Sequence, residues 1–279
     1  MDGRVVSTSP GTLYVVSTPI GNMGDFTFRA VEILKSVALV LAEDTRHSRR
    51  LLDHYAIETR VASYHEHNEA RSVPGVIARL ERGESVALIS DAGTPLVSDP
   101  GARLVRAALD SGLPVVPVPG PSAVLAALVA SGIAGDRFTF FGFLPRKGKD
   151  RRSALDAIAR LDHTAILYEA PPRLAETLDE LAAIDPRREA AVARELTKRY
   201  EEIRRGTVGS LAAYYKRSPP RGEMVVVLDR APESRADEVT LRPRAEALRA
   251  EGRDAREIIR VLIEEGASRN VAYRLAHDT

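Results

Sequence analysis

The sequence of 279 residues contains no cysteine. Disulfide bonds, thiolate zinc sites and cysteine nucleophiles are therefore excluded, and the composition suits a reducing compartment such as the cytosol. Residues 1–11 lack the charged and then apolar pattern of a secretory signal. The longest strongly apolar stretch, residues 123–130, is too short to span a bilayer. We therefore expect a soluble, cytoplasmic protein without a membrane partner.

The chain also lacks a large net charge and the common nucleotide-binding motifs. Its 40 Lys and Arg residues nearly balance 39 Asp and Glu residues, so binding of nucleic acid must depend on local basic clusters. No Gly-x-Gly-x-x-Gly follows the first predicted strand, which argues against a Rossmann domain and against the commonest class of methyltransferases. Residues 142–149 have the wrong spacing for a phosphate loop, and Asp150 stands where Ser or Thr would meet magnesium.

What is present is a regular alternation of strand and helix patterns. Apolar runs such as residues 12–17, 37–42 and 86–89 alternate with helical spacing, which is typical of a parallel α/β domain. The alternation resumes after a helix at 122–131 and ends with a strand at 224–228.

The rest of the chain reads differently. A polar linker at 231–237 leads into three short helices from Leu241 onward, the second ended by Gly266 and the third capped by Ser268. We therefore predict an α/β fold of two α/β domains and a small C-terminal three-helix domain. The predicted boundaries are 1–119, 120–232 and 238–279.

The most informative run is Ser90-Asp91-Ala92-Gly93-Thr94-Pro95, which directly follows the apolar strand 86–89. Loops at the carboxyl ends of parallel strands are where open α/β sheets bind ligands. Glycine lets the backbone approach a ligand closely, and proline stiffens such a loop. An ordinary βα turn is the alternative for this run taken alone.

Other loops extend this run into a resemblance. Together with Thr18-Pro19-Ile20-Gly21-Asn22, Pro119-Gly120-Pro121-Ser122 and Tyr168-Glu169-Ala170, it resembles the tetrapyrrole-methylase-like (class III) S-adenosylmethionine methyltransferases. Further segments resemble the branch that methylates the 2′-oxygen of cytidine in small-subunit (16S) ribosomal RNA. These segments are Ala42-Glu43-Asp44-Thr45-Arg46-His47, His65-Glu66-His67-Asn68-Glu69, Gly142-Phe143-Leu144-Pro145 and Arg194-Glu195-Leu196-Thr197-Lys198.

The resemblance covers about residues 12–230, and the helical tail resembles the small C-terminal domain of the same enzymes. It implies two α/β domains, S-adenosylmethionine in the cleft between them and a homodimer. One departure is the segment 170–173, which reads Ala-Pro-Pro-Arg where the family pattern ends in His-Arg. The role of that His is in doubt here, whereas Arg173 is present.

The resemblance, read with the loop positions, also implies the residues that bind the cofactor. Ser122 and Ala123 open a helix whose N-terminal amides suit a carboxylate. Asp91 and Glu169 are alternative partners for the amino or hydroxyl groups, and Ile20 either packs on the adenine or belongs to the core. The predicted cofactor-binding residues are Pro19, Ile20, Gly21, Asp91, Ala92, Gly93, Thr94, Pro95, Ser122, Ala123, Tyr168 and Glu169.

Methyl transfer to a ribose hydroxyl requires positioning together with a base or a field that stabilises the developing alkoxide. Two polar loops supply such groups, and we expect an acid or His among them as base, with Arg46 steering phosphate. The alternatives are that Glu43 and Asp44 form a helix N-terminal charge pair, or that orientation and water suffice without a base. The candidate catalytic residues are Glu43, Asp44, Arg46, His65, Glu66 and His67. For His65 and His67 a polar substrate-facing loop is favoured over a metal site, and no metal is expected.

Basic clusters are the candidate contacts to RNA. Arg49 and Arg50 extend the cluster begun by Arg46, and a weaker cluster of Lys198-Arg199 with Arg204-Arg205 is diluted by acids. For Lys198 a surface ion pair with Glu195 is an equal alternative. The strongest cluster lies on a predicted loop and contains Arg146, Lys147, Lys149, Arg151 and Arg152.

The resemblance and the basic clusters together predict S-adenosylmethionine-dependent methylation of ribosomal RNA, either free or in the small ribosomal subunit. Two other functions remain open. A tetrapyrrole C-methyltransferase of the same superfamily would share the cofactor loops but would not need the basic loop. A non-catalytic RNA-binding protein would use the cleft for a different ligand.

Overall fold

The computed structural model describes residues 10–231, 235–265, 267 and 269–278, with only the backbone given at 235–237 and 270. The predictions for residues 1–9, for most of the linker 231–237 and for the caps Gly266 and Ser268 therefore lie wholly or partly outside the described residues. None of the helices in the described ranges has the length and apolar character needed to cross a bilayer.

The first half of the chain forms a five-stranded, entirely parallel sheet with the order β3-β2-β4-β1-β5. Its strands are β1 (Leu13–Val16), β2 (Leu39–Ala42), β3 (Val61–Ser63), β4 (Val86–Ile89) and β5 (Val115–Val118). β2 and β4 are buried along their whole length because helices cover both faces of a parallel sheet.

Four helices cover this sheet, α1 (Phe28–Ser36), α2 (Thr45–His54), α3 (Glu69–Glu81) and α4 (Ala102–Asp110). Leu34 and Leu52, on α1 and α2, share one apolar cluster on one face, while Leu80 and Leu104, on α3 and α4, share a second cluster on the other. The sequence pattern predicts helices that begin at Arg49 and Val73, whereas α2 and α3 each begin four residues earlier.

The second sheet is mixed, with the order β6-β7-β10-β8-β9. Its strands are β6 (Phe138–Phe143), β7 (Thr164–Glu169), β8 (Glu189–Arg194), β9 (Glu202–Thr207) and β10 (Met224–Leu228). β6 runs parallel to β7, and the remaining pairs are antiparallel. The prediction of a second α/β unit is thereby confirmed.

Helix α5 (Ala123–Ser131) packs on one face of this sheet, where Val124 and Leu128 meet Ile166 and Val225. The helices on the other face are α6 (Gly148–Ala159), α7 (Pro171–Ile184) and α8 (Val208–Arg217). The sequence prediction missed β9 and α8. β9 is an edge strand with charged residues, and its Arg204 side chain covers the Tyr214 ring at 3.6 Å instead of facing solvent as a basic cluster.

The C-terminal region contains α9 (Arg235–Ala250), α10 (Ala255–Glu264) and α11 (Arg269–His277). Leu248, Leu262 and Leu275, one from each helix, meet in a separate apolar cluster. The three predicted tail helices are present, and α9 begins six residues earlier than expected.

Candidate functional site

The two loops that follow β1 and β4 meet at the carboxyl edge of the first sheet. β1 and β4 are neighbouring strands. After β1 the chain runs to β2 on one side of the pair, and after β4 it runs to β5 on the other side, so the two connections run in opposite directions along the sheet. Such a divergence opens a crevice between the strand ends, which is the usual ligand position in an open α/β sheet. The backbones of Thr18 and Gly93 close the base of this crevice with N–H···O bonds of 2.8 and 3.1 Å.

The 90–101 loop has an unusual backbone. Gly93 and Gly101 have φ of +84° and +131°, and the non-glycine residues Leu96 and Ser98 also have positive φ, +72° and +66°. Positive φ costs an L-residue about 1–3 kcal/mol and persists only where the surroundings over-determine it, most often at functional sites. A side chain at Gly101 would meet the Leu88 side chain at 2.6 Å, so the close approach also requires glycine.

A cavity of about 480 Å³ lies above this loop, between the first sheet and the second. Its size is within the range of small-molecule sites. Residues from both sheets line it: Ile20, Glu43, Asp91, Ala92, Gly93, Thr94, Val97, Ser98, Asp99, Ser122, Ala123, Phe143, Tyr168, Glu169, Ala170, Pro171, Ala193, Leu196, Gly222, Glu223, Met224 and Val225. The cleft predicted from the sequence is therefore present, and most of the predicted cofactor-binding residues line it.

The exceptions are Pro19, Gly21 and Pro95, which shape the loops without lining the cavity. Pro19 and Pro95 are buried. Gly21 lies against Lys198, since a Cβ at this glycine would come within 2.4 Å of Lys198 Cγ. The next residue, Asn22, donates its backbone N–H to Thr197 Oγ1 at 3.1 Å, so the loop after β1 is joined directly to the second half of the chain.

Carboxylates from separate loops give the cavity a negative wall. Burial raises the pKa of Asp99, and together with the charge of Glu43 and a smaller effect of Asp91 it brings that pKa to about 6, although a hydrogen bond from the Ser90 hydroxyl opposes the rise. Burial also raises the pKa of Glu43, as does the charge of Asp91. Asp99 is a site residue that the sequence analysis missed, although it lies in the same breaker-rich run as Asp91. A wall of this kind favours a ligand with a cationic centre.

Asp44 has a different position from its neighbour Glu43. Its carboxylate caps α2 by accepting hydrogen bonds from the backbone N–H groups of Arg46 (2.8 Å) and His47 (3.2 Å), and these bonds lower the pKa of Asp44. Its own N–H donates to Asp91 Oδ1 at 3.1 Å. The helix N-terminal alternative therefore describes Asp44, whereas Glu43 lines the cavity.

The His65–His67 loop is close to the acidic wall. The charge of His65 lowers the pKa of Glu43, one of the carboxyls in that wall. The two imidazole rings stand edge to face, 5.9 Å apart. His65 Nδ1 is buried and makes no hydrogen bond to any described residue. Arg46, Glu66 and His67 are exposed and do not line the cavity.

Tyr168 and Glu169, at the end of β7, form part of the opposite wall. Burial, with smaller contributions from the charges of Asp99 and Glu223, raises the pKa of Tyr168 to about 12. The Glu169 side chain is fully buried, and its oxygens accept from Ala170 N (2.9 Å) and Thr177 Oγ1 (2.6 Å). Because these bonds satisfy Glu169, the structure favours Asp91 as the carboxylate that faces a ligand.

The end of β6 carries a β-bulge at the cavity. Phe140 pairs with Ile166 and Phe143 with Tyr168, so β6 has one residue more than β7 in this interval. Gly142 allows the bulge with φ of +62°. The bulge turns Phe143 to the same side as Phe140, and both rings contact Tyr168, at 5.4 and 4.9 Å between centroids. Phe143 is a second cavity residue that the sequence analysis did not single out.

The 195–201 segment is a turn, so the three-residue spacing of Glu195 and Lys198 does not lie on a helix. Lys198 Nζ lies 3.0 Å from both Glu195 Oε1 and Glu223 Oε2, so the ion-pair alternative describes this lysine in the structure. Glu195 and Thr197 have positive φ, +50° and +64°. This second strained segment borders the cavity at Leu196.

The basic cluster at 146–152 divides into two parts, because α6 already begins at Gly148. Arg151 is only 4% exposed, pairs with Glu180 and donates to Thr177 Oγ1 at 2.9 Å and to Pro145 O at 3.2 Å. This corrects its expected role as an RNA contact, since its guanidinium is committed to the protein interior. The exposed basic residues are Arg146, Lys147, Lys149 and Arg152, together with Arg49 and Arg50 on α2.

The sequence profile of the Tetrapyrrole (Corrin/Porphyrin) Methylases matches residues 12–212. Curated relatives named "Ribosomal RNA small subunit methyltransferase I" match over most of their length. The relative from Synechocystis sp. is 46% identical over 91% of this chain and 93% of its own. The relative from Mesorhizobium japonicum is 54% identical over 81% and 77%. The one from Bacillus subtilis is 43% identical over 96% and 93%.

Solved structures with the same fold include "diphthine synthase", with a TM-score of 0.62 at 15% identity over 78% of this chain and 89% of the other. Another is Uroporphyrin-III C-methyl transferase from Thermus thermophilus complexed with S-adenyl homocysteine, with a TM-score of 0.55 at 20% identity over 78% and 97%. At these identities the likeness concerns the fold.

Proposed function

The chain belongs to the tetrapyrrole (corrin/porphyrin) methylase family, and we propose that it uses S-adenosylmethionine to methylate a cytidine 2′-hydroxyl in small-subunit (16S) ribosomal RNA. Its curated relatives are named as small-subunit ribosomal RNA methyltransferases and align along nearly the whole chain. The observation that carries the proposal is the cavity between the two sheets, whose acidic wall suits a cofactor with a cationic centre.

The cavity residues suit S-adenosylmethionine in chemistry. Asp91 favours a sulfonium and an ammonium group, since its carboxylate borders the cavity. Ser122 Oγ caps α5 by accepting from Leu125 N at 3.4 Å, and the helix N-terminus suits a carboxylate. Ile20, Val97 and Leu196 provide apolar surface for an adenine ring. The fold neighbour that was solved with S-adenyl homocysteine has the same architecture.

The bound cofactor supplies an electrophilic methyl group on a sulfonium. The protein must then hold a ribose 2′-oxygen in line with that methyl carbon, so that the new O–C bond forms as the S–C bond breaks. The proton of the hydroxyl must also leave. Among the predicted catalytic residues Glu43 lines the cavity, and its raised pKa makes it a better proton acceptor than Asp44. We assign the role of base to Glu43.

The neighbouring loop supports that role in the proposal. His65 lies close enough to Glu43 for its charge to affect the carboxyl, and its buried Nδ1 has no hydrogen-bond partner among the described residues. Glu66 and His67 are exposed on the same loop as His65, and in the proposal they contact the substrate. Arg46 projects from the first turn of α2 toward solvent and would pair with a phosphate.

RNA contact is proposed for the exposed basic residues on two helices, one from each half of the chain. α6 presents Lys149 and Arg152, and α2 presents Arg49 and Arg50. Lys198 contributes through its ion pairs, which hold the 195–201 turn at the edge of the cavity. Since the net charge is +1, these local clusters must supply the electrostatic attraction.

The proposal includes an organisation into domains 1–119, 120–232 and 238–279, with the tail as a helix-turn-helix-like RNA contact. It also includes a homodimer. Leu125 and Val129, four residues apart on α5, are both exposed, and an apolar pair on one helix face suits a second copy of the chain. We place the reaction in the cytoplasm, where ribosomal subunits are found.

The direct test is methyl transfer from labelled S-adenosylmethionine to three substrates in parallel: small ribosomal subunits, naked ribosomal RNA and a tetrapyrrole precursor. We expect label in the RNA of one of the first two samples. Label in the tetrapyrrole would support C-methylation by this fold instead. RNA binding without label in any sample would favour a non-catalytic protein.

A further inference from the structure

Phe143 is an aromatic side chain that is both exposed and part of the cavity wall. It is 57% exposed, yet it lies against Tyr168 with 5.4 Å between ring centroids. One side of the ring is therefore held by the protein, while much of its surface remains open to solvent. An apolar surface displayed at the edge of a ligand cavity suggests a partner that covers it.

The backbone is built to present this ring. Without the bulge at Gly142, Phe143 and Phe140 would lie on opposite faces of β6, because residues three apart in a regular strand face opposite sides. The extra residue puts both on the cavity face of the sheet. Bulges near functional sites commonly re-aim a side chain in this way.

A carboxylate stands next to this ring. An added Cβ at Gly142 would lie 3.4 Å from Ser98 Oγ, so the bulge touches the 90–101 loop one residue before Asp99. Phe143 follows Gly142 directly, and Asp99 follows Ser98 directly. Both line the cavity, and the charge of Asp99 reaches Tyr168, the ring on which Phe143 rests. The Phe143 ring and the Asp99 carboxylate therefore follow directly on the two residues, Gly142 and Ser98, at which the two loops meet.

This combination matches an unpaired pyrimidine base. Base faces stack on aromatic side chains, and an Asp carboxylate accepts a hydrogen bond from the N4 amino group of cytosine. A 2′-hydroxyl can enter a cavity between two sheets only if its nucleotide leaves the stacked helix, and the base must then be received elsewhere. The buried Glu169 is satisfied within the protein and is not available for this purpose.

We propose that Phe143 and Asp99 form the subsite for the target base, with Phe143 as the stacking surface and Asp99 as the acceptor that selects cytosine over uracil. This inference rests on the proposed function and adds to it the base recognition that the same site would perform.

The stacking role is tested with Phe143→Ala and Phe143→Tyr, and with Phe138→Ala as the matched control. Phe138 lies on the same strand, is 40% exposed and does not line the cavity. The alanine variant should lose about 5- to 100-fold in kcat/KM for RNA, since stacking on one aromatic ring has that magnitude. Tyr at 143 should restore the rate, and Phe138→Ala should match the wild type. The Kd for S-adenosylhomocysteine should be unchanged in all three variants.

The selectivity role is tested with Asp99→Asn at pH 8, on RNA carrying either cytidine or uridine at the target position. An amide both donates and accepts, so it can pair with either base. We expect the preference of the wild type for cytidine to fall about 10-fold or more in the variant. A short RNA with a fluorescent cytosine analogue at the target gives a binding readout that needs no turnover. Its quenching should depend on Phe143.

Different results would refute the proposed function and the base subsite. If the wild type transfers no methyl group to RNA, the proposed function is wrong. If the wild type is active but Phe143→Ala retains its kcat/KM and quenching, or weakens cofactor binding instead, the stacking subsite is refuted. An unchanged cytidine preference in Asp99→Asn would refute the role of Asp99.

Discussion

The backbones of Thr18 and Gly93 are hydrogen-bonded to each other in both directions, at 2.8 and 3.1 Å, although they are 75 residues apart. The Thr18 hydroxyl also donates to Ser90 O at 3.0 Å, and the Ser90 hydroxyl donates to Gly93 O at 3.0 Å. These bonds fix the loops after β1 and β4 as one unit beneath the cavity. The shape of the cofactor site therefore depends on backbone contacts, in addition to the side chains that line it.

Replacing Gly93 with Ala should weaken cofactor binding. Its φ of +84° costs an L-residue about 1 kcal/mol, and the added Cβ would lie 3.4 Å from Ile20 Cγ2 within the cavity wall. We expect about 10-fold weaker binding of S-adenosylhomocysteine by calorimetry. Gly112→Ala is the control, because Gly112 has φ of +68° and open space around it. Equal affinity losses in both variants would show that only general strain is measured.

Glu43→Gln should lower kcat by about 10²- to 10⁴-fold, the range expected for loss of a general base. In the wild type the rate should rise with pH as Glu43 loses its proton. Because burial and the charge of Asp91 raise the pKa of Glu43, this rise should occur at a higher pH than for an ordinary glutamate. The Gln variant should lose this limb of the pH profile, while its cofactor affinity stays near that of the wild type.

Asp44→Asn is the matched control for Glu43→Gln. Asn caps a helix about as well as Asp, so the bonds from Arg46 and His47 would be kept, together with most of the rate. A large rate loss in Asp44→Asn, with Glu43→Gln fully active, would reverse the assignment of the two acids.

Lys149→Ala and Arg152→Ala should each weaken RNA binding and reduce the slope of log K against log salt by about 1, as expected for lost phosphate contacts. Binding titrations at several salt concentrations measure both effects. Arg151→Ala should instead lower the unfolding temperature, because it removes the partner of Glu180 and Thr177 from the interior. If Arg151→Ala is as stable as the wild type and shifts only the salt slope, the division of this cluster is incorrect.

Asp99 should make the stability of the cofactor-free protein fall between about pH 4 and pH 6. Its pKa is raised from 3.8 to about 6 by burial and by the charges of Glu43 and Asp91, so the folded protein holds a proton that the unfolded chain has released. The native state binds more protons in this interval, and stability at this site therefore decreases as pH rises.

The corresponding measurement is the unfolding temperature of Asp99→Asn against the wild type at pH 5 and pH 8. The variant should gain more at pH 8, where the wild-type carboxyl is charged in the folded state. Asp156→Asn, an exposed position on α6, should show no such difference. A larger gain at pH 5 than at pH 8 would contradict the raised pKa.

The parallel first sheet could be predicted from the sequence because its apolar runs are fully buried strands bounded by glycine, proline and acidic residues. β4 at Val86–Ile89 has the predicted bounds, and so does β10 at Met224–Leu228 in the second sheet. β9 could not be found this way, since Glu202–Thr207 is an edge strand with a single apolar side chain, Ile203, among charged and polar residues. The start of α6 was missed because Gly148 and Lys149 resemble a basic loop, while the contacts of Arg151 that stabilise this turn come from distant residues.

Most of the cavity could be predicted from motifs at strand ends, as Asp91, Gly93 and Ser122 illustrate. Residues that depend on long-range geometry could not. Asp99 joins the acidic wall because positive φ at Leu96 and Ser98 folds the loop back, and Phe143 faces the cavity because of a bulge. Neither feature has a spacing signal in the sequence. Glu43 and Asp44 look equivalent as adjacent acids, and only the cap of α2 distinguishes them.

The central claim is most directly tested by nucleoside analysis of small-subunit RNA after reaction with S-adenosylmethionine whose methyl group is isotopically labelled. We predict that digestion and mass spectrometry will find the label in 2′-O-methylcytidine, and that Glu43→Gln will abolish it. Label in a base-methylated nucleoside, or in no nucleoside while a tetrapyrrole is methylated, would contradict the account.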